Sequence, residues 1–180
     1  MNTISKVRIL PVILVGIFFG SCVKPEKFPI EPYIEFRQNH FFYEVGVGGD
    51  TVEKLAVEFY FQDGDGDIGR KTEDEVAPYV GEYFHNLHFD LFEVFSDSSL
   101  VPVYMSDSLG LEYPVTYRYH LHYIDPVNAD GTLKGTVTWQ VDDFPSTAFF
   151  MRGKTICYGI YLYDRALHKS NVIHTSPIIL

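Results

Sequence analysis

An all-β sandwich is predicted by three features of this 180-residue chain. Apolar and polar residues alternate at period two in one segment after another, the pattern of strands buried on one face. Aromatic residues make up 16% of the chain, and with the β-branched residues they suit a pleated, half-buried surface. Turn residues punctuate the segments, and beyond the N-terminal apolar run nothing has helical length and period.

That N-terminal run is of a different kind. Lys6 and Arg8 form a basic patch ahead of Ile9 to Gly20, an apolar stretch of about a dozen residues, the length of a signal-peptide core. It is too short to span a bilayer comfortably. It ends in Phe19-Gly20-Ser21-Cys22, which resembles a bacterial lipobox, with Phe19 standing where Leu or a small aliphatic is usual. Residues 1–21 are therefore read as a lipoprotein signal peptide, cleaved before Cys22, whose thiol and amine are then acylated. The alternative is an ordinary secretory leader that happens to contain a cysteine. Residues 22–32 hold Pro25, Pro29 and Pro32 among charges, an extended tether that lifts the domain off the lipid. Cys157, the other cysteine, falls inside a strand pattern and is expected to be buried and free.

Residues 33–180 form the single predicted domain. Pro32-Tyr33-Ile34-Glu35-Phe36 alternates and is the first strand, and residues 46–51 are a glycine-rich turn. The second, roughly residues 52–61, puts Leu55, Val57, Phe59 and Phe61 on one face. An acidic stretch to about Glu82 is too long for an ordinary connection. Leu87 to Phe95 is a strand, followed by a turn at Ser96–Ser99 and a short strand at Val101–Met105. Val115, Tyr117, Tyr119, Leu121 and Tyr123 share a face of the next strand. Leu133, Gly135, Val137, Trp139 and Val141 share a face of another, and Ile156, Tyr158, Ile160 and Leu162 of another. Residues 172–180 are the last, at an edge because Pro177 cannot donate to a ladder. The total is seven or eight antiparallel strands. An immunoglobulin-like β-sandwich fits this spacing best, with a jelly roll or closed barrel as the alternative.

The chemistry concentrates in Asp63-Gly64-Asp65-Gly66-Asp67-Ile68-Gly69. Carboxylates this dense repel one another, and the glycines let the backbone fold them inward around a positive charge. A hard divalent cation, Ca²⁺ above all, neutralises them, since it takes about six to eight oxygens in irregular geometry. The loop departs from an EF-hand: Ile68 stands at the obligatory glycine position, Asp74 at the position of the bidentate Glu, and no helices flank it. In an immunoglobulin-like sandwich three loops gather at one end. Here those loops begin at Asp63, Asp125 and Asp164, so the predicted ligands are Asp63, Asp65, Asp67, Asp164, Asp125 and Asn171. The alternative is a plain turn in which Asp67 pairs with Arg165.

Other chemistries find less support. The histidines (His85, His88, His120 and His122) lack a cysteine partner for zinc and read as solvent-face residues. Tyr117, Tyr119 and Tyr123, or Tyr161 and Tyr163, offer a platform for sugar rings or, more simply, core cover. No nucleophile elbow or phosphate loop is present, so no enzyme is predicted. A net charge of −10, more negative still once Lys6 and Arg8 leave, argues against nucleic acid.

A strand ending in Phe61-Gln62 before this Asp/Gly loop, and a closing Tyr163-Asp164-Arg165-Ala166-Leu167-His168-Lys169-Ser170-Asn171, resemble a group of lipoproteins of Bacteroidota-type bacteria. The resemblance covers most of the mature chain and implies an immunoglobulin-like domain on the cell envelope, lipid-anchored, with the outer membrane as its expected place. It implies no activity. The expected protein is a non-enzymatic binding or assembly module, tethered to the membrane and steadied by Ca²⁺, with an envelope protein or glycan as partner. The alternative is a carbohydrate-binding surface lipoprotein of a glycan-uptake system.

Overall fold

The computed structural model describes residues 27–46, 48–126, 131–142, 144 and 150–180, so the predicted signal peptide and Cys22 lie outside the described residues. The described strands, in chain order, begin with β1 (Tyr33–Val45), β2 (Thr51–Asp63), β3 (Leu87–Val94) and β4 (Leu100–Pro102). After them come β5 (Tyr104–Ser106), β6 (Glu112–Pro114), β7 (Thr116–Tyr119) and β8 (Leu133–Asp142). The series ends with β9 (Thr155–Leu162), β10 (Ile173–His174) and β11 (Ile178–Ile179). The only helical element among the described residues is a 3₁₀ turn at Gly81–Tyr83. None is long and apolar enough to cross a membrane.

Two antiparallel sheets pack face to face. One has the order β1-β2-β8. In the other, β10 and β11 pair with β9, β9 with β3, and β3 carries β4 and β7 along its far edge. First, second and fifth principal strands thus oppose third, sixth and seventh, the immunoglobulin-like arrangement. The core forms where the inward positions of both sheets meet. Leu55, Val57, Phe59 and Phe61 of β2 face Leu87, Phe89 and Leu91 of β3 and Ile156, Tyr158, Ile160 and Leu162 of β9, all buried. Trp139 of β8 stacks on Phe89 with ring centroids 4.2 Å apart and planes 28° from parallel.

Four predicted strands differ from expectation. The first runs on to Val45, because Phe41↔Leu55 and Val45↔Thr51 keep its pairing with β2 to the turn. The fourth and fifth are each broken near residue 103 or 115. Val103 N–H donates to the Leu91 carbonyl (3.0 Å), Leu91 N–H to that of Val115 (2.9 Å), and Val115 N–H to that of Val103 (2.8 Å). Those three bonds close the edge of the sheet and send residues 104–114 out as a hairpin, β5–β6. Pro177 does sit at the edge, splitting the last strand into β10 and β11.

Candidate metal centre

Strand parity places two of the three central carboxylates. The inward positions of β2 run Leu55, Val57, Phe59, Phe61, and the next is Asp63, fully buried. Those of β9 run Ile156, Tyr158, Ile160, Leu162, and two residues on is Asp164, also fully buried. The two strands belong to opposite sheets, so the two carboxylates cap one end of the core between them. Asp67 joins from the turn after β2. Oxygens of Asp63, Asp67 and Asp164 all lie within 4.8 Å of one another, the only such group of three among the described residues.

Asp63 and Asp67 are each held by one oxygen, and Asp164 by both. Asp63 Oδ2 accepts from the Asp67 N–H at 2.9 Å, and Asp67 Oδ2 from the Ala166 N–H at 3.0 Å. Asp164 Oδ1 accepts from the His168 N–H at 2.7 Å, while its Oδ2 meets His168 Nδ1 at 2.8 Å. Asp63 Oδ1 and Asp67 Oδ1 are buried and have no partner. A buried carboxylate oxygen without a donor carries a desolvation cost of about 1–3 kcal/mol or more, which a ligand in the gap removes.

The electrostatics agree. Burial, reinforced by the charges of Asp65, Asp67 and Asp164, pushes the Asp63 carboxyl up to about 7. Burial likewise raises Asp67, with help from Asp164, and raises Asp164 against its bonds to His168. Bonding and attraction to Asp164 raise His168 above its ordinary value. Without a cation the cluster answers its own charge by holding protons.

The three predicted loops do converge here, as far as the described residues reach. Ile68 bridges Asp164, Arg165 N–H donates to the Asp67 carbonyl at 3.2 Å, and Ile124 N–H reaches the Ile68 carbonyl at 3.4 Å. Glycine is needed for the approach. Gly66 (φ +68°) and Gly69 (φ +97°) are left-handed, and a Cβ on them would strike the carbonyls of Gly131 and His122. A Cβ on Gly64 would strike the carbonyls of Phe28 and Pro29, so the last part of the predicted tether lies against this loop.

Asp65, Asp125 and Asn171 stand apart from the triad. Asp65 and Asp125 are exposed, and Asp65 acts on its neighbours through its charge. The loop after β7 comes to the site through backbone groups instead. Asn171 is spent elsewhere: its Oδ1 accepts from the Ile34 N–H and its Nδ2 donates to the Ile34 carbonyl, both at 2.8 Å. That clamp ties the start of β1 to the last loop. The pairing of Asp67 with Arg165 is absent too, because Arg165 Nη1 pairs with Asp74.

No protein-family model, curated protein or solved structure matches this chain. The arrangement of its own residues is what bears on function.

Two further expectations meet the structure. His88 is not on a solvent face: it is 1% exposed, stacked on Tyr161 at 4.8 Å, with Nε2 3.0 Å from the His85 carbonyl oxygen. It points away from the core side of β3, and the Tyr163 ring lies edge-on against it, itself met by Tyr83. The tyrosine stripes are cover rather than platform. Tyr117 and Tyr119 pack on Tyr158, Phe89 and Trp139, and the Lys169 ammonium sits 3.6 Å from the centre of the Tyr161 ring. What sequence reading missed is His168 as the partner of Asp164, four residues on in the same loop, and Arg70.

Proposed function

We propose that this chain is a lipid-anchored, non-enzymatic module of the bacterial cell envelope, at the outer membrane, whose loops are fastened by Ca²⁺ for binding or assembly with an envelope partner. The observation that carries the cation is Asp63 Oδ1, an oxygen of a fully buried carboxylate, unpartnered among two other carboxylates. Asp63, Asp67 and Asp164 would hold the ion, each already oriented by a backbone N–H, as ligating carboxylates commonly are. Its effect is to fasten the turn after β2 to the turn after β9, across the two sheets. Ca²⁺ fits better than Mg²⁺, which demands a tighter octahedron. The glycan alternative draws no support from the tyrosines, which are occupied inside the fold.

Calorimetric titration of the purified protein with CaCl₂ above neutral pH is expected to show saturable one-site binding, with Mg²⁺ much weaker. Absence of binding heat, together with an equal melting temperature in Ca²⁺ and in chelator, would leave the loop as a turn only. The anchor is tested separately. The lipobox-like Phe19-Gly20-Ser21-Cys22 motivates it, and Cys22→Ala is expected to abolish fatty-acid labelling and release the protein from membrane fractions. Retention of both label and membrane pelleting would refute the anchor.

A further inference from the structure

Beside the acidic cluster lies a second polar cluster of opposite sign. Arg70, one residue past the Asp/Gly loop, is only 4% exposed. Its Nη2 donates to the Tyr83 carbonyl at 2.8 Å, and its guanidinium lies 3.9 Å from the centre of the Tyr79 ring. Nε and Nη1 are sealed from solvent and have no hydrogen-bond partner. Buried guanidinium donors are ordinarily met, most strongly by the planar oxygens of a carboxylate or phosphate. The acid closest in sequence does not supply them. Asp74 Oδ2 is engaged by Arg165 Nη1 and by the Lys71 N–H.

Arg70 lines a cavity of about 210 Å³, to which Lys71, Thr72, His120 and His122 bring further donors. Asp74 and Glu75 share the lining, and the charge of Asp74 is already matched by Arg165. Lys71 and Arg165 both lie over the Tyr123 ring, at 4.5 and 5.5 Å, and Arg165 also over Tyr79 at 5.5 Å. With Arg165 matched to Asp74, the lining keeps two cations, Arg70 and Lys71, against the single carboxylate of Glu75, in a chain whose net charge is −10. The cavity is smaller than the roughly 300–1,000 Å³ that holds a drug-sized molecule, so it suits one anionic group rather than a whole extended ligand.

We propose that this cavity is an oxyanion site, in which Arg70 receives a single carboxylate or phosphate group of a small ligand or of a polymer end. Lys71 supplies a second positive charge in the lining, and Thr72, His120 and His122 supply further polar groups around it. Because Nε and Nη1 are covered in the free protein, binding includes rotation of a lining side chain. Arg70 cannot be replaced by Lys here, since one ammonium cannot hold the Tyr83 carbonyl, lie flat on Tyr79 and meet an anion at once.

The test follows the Arg70 Nε–H resonance of the ¹⁵N-labelled purified protein, assigned by its absence in Arg70→Lys. It is run in chelator, so its result is independent of the cation site. Titration with inorganic phosphate or with glucuronate to tens of millimolar is expected to move that resonance saturably, while glucose and chloride do not. Lys71→Gln, which alters a half-buried chain lying over Tyr123 and leaves Arg70 in place, is expected to weaken the binding severalfold. A response to phosphate alone, or to glucuronate alone, supports the site and identifies its anion. No saturable movement with either, or the same movement with chloride, overturns the proposal and leaves Arg70 a structural residue stacked on Tyr79.

Discussion

In chelator, raising the pH from about 5 to about 8 is expected to lower the melting temperature, and saturating Ca²⁺ to cancel the fall. The sign follows from Asp63. Its carboxyl is raised to about 7 in the folded protein, against 3.8 for a free aspartate side chain. Between those values the folded state binds more protons than the unfolded chain, so stability is full below the lower value and lost as pH climbs through the higher one. Asp67 and Asp164 are shifted upward as well, and add to the same slope. His168, also raised, contributes stability that is present at low pH and lost as its folded-state proton leaves, again the same sign. Ca²⁺ competes with those protons, so its stabilisation grows with pH and levels off once Asp63 is ionised. At a hundredfold excess of free ion over Kd the gain is about 2.7 kcal/mol. For a domain of this size that corresponds to a rise of about 5–10 °C in Tm.

One substitution separates this account from a general salt effect. Asp63→Asn removes a charge from a buried repulsive cluster and keeps the shape of the side chain. In chelator at pH 8 the variant is expected to melt above the wild type, to show a shallower pH slope, since only Asp67, Asp164 and His168 remain to give one, and to lose most of the response to Ca²⁺. Scanning calorimetry of both proteins at several pH values measures all three. A variant that melts below the wild type in chelator and still gains from Ca²⁺ would show that Asp63 is a structural acceptor and no ligand.

The sandwich was legible because strand parity is a local property. Each alternating run carries its own inward face, and the two sheets had only to pair those faces. The same parity extended one step past Phe61 and Leu162 names Asp63 and Asp164 as inward, so two of the three carboxylates of the candidate centre could be read from strand phase as well as from the acidic motif. Asp125 and Asn171 shared only their loops with the centre. A loop's approach does not fix which atoms it offers, and here one loop brings backbone groups while Asn171 turns back to clamp Ile34. The split at Val103 and Val115 rests on three backbone bonds to Leu91 and to each other, which no alternation of side chains reports. His88 looked like a surface residue because it lies on the outer face of β3. What buries it is its ring contact with Tyr161, opposite it on β9, and with Tyr163, which alternation along β3 alone does not report.

Gly66→Ala is expected to be among the most damaging single-methyl substitutions available in this chain, and Gly49→Ala is its control. Both glycines are left-handed, at φ +68° and +87°, so alanine at either pays a backbone cost of about 1–2 kcal/mol. Around Gly49 nothing lies within 4 Å of the added Cβ, and the cost ends there. At Gly66 the Cβ would overlap the Gly131 carbonyl oxygen and lie 2.7 Å from Pro126 Cγ. A carbonyl on another loop cannot rotate aside as a side chain can, so the two loops must part. Forced overpacking of this kind adds about 1–3 kcal/mol, and the separation also draws the Asp67 turn away from Asp63 and Asp164. Thermal melts should therefore place Gly66→Ala about 4–20 °C below the wild type, with Ca²⁺ affinity lowered tenfold or more, and Gly49→Ala a few degrees below with unchanged affinity. Equal melting temperatures for the two variants would mean that the loops at this end do not meet at Gly66. A Gly66→Ala protein that is destabilised yet binds Ca²⁺ normally would detach the loop contact from the cation site.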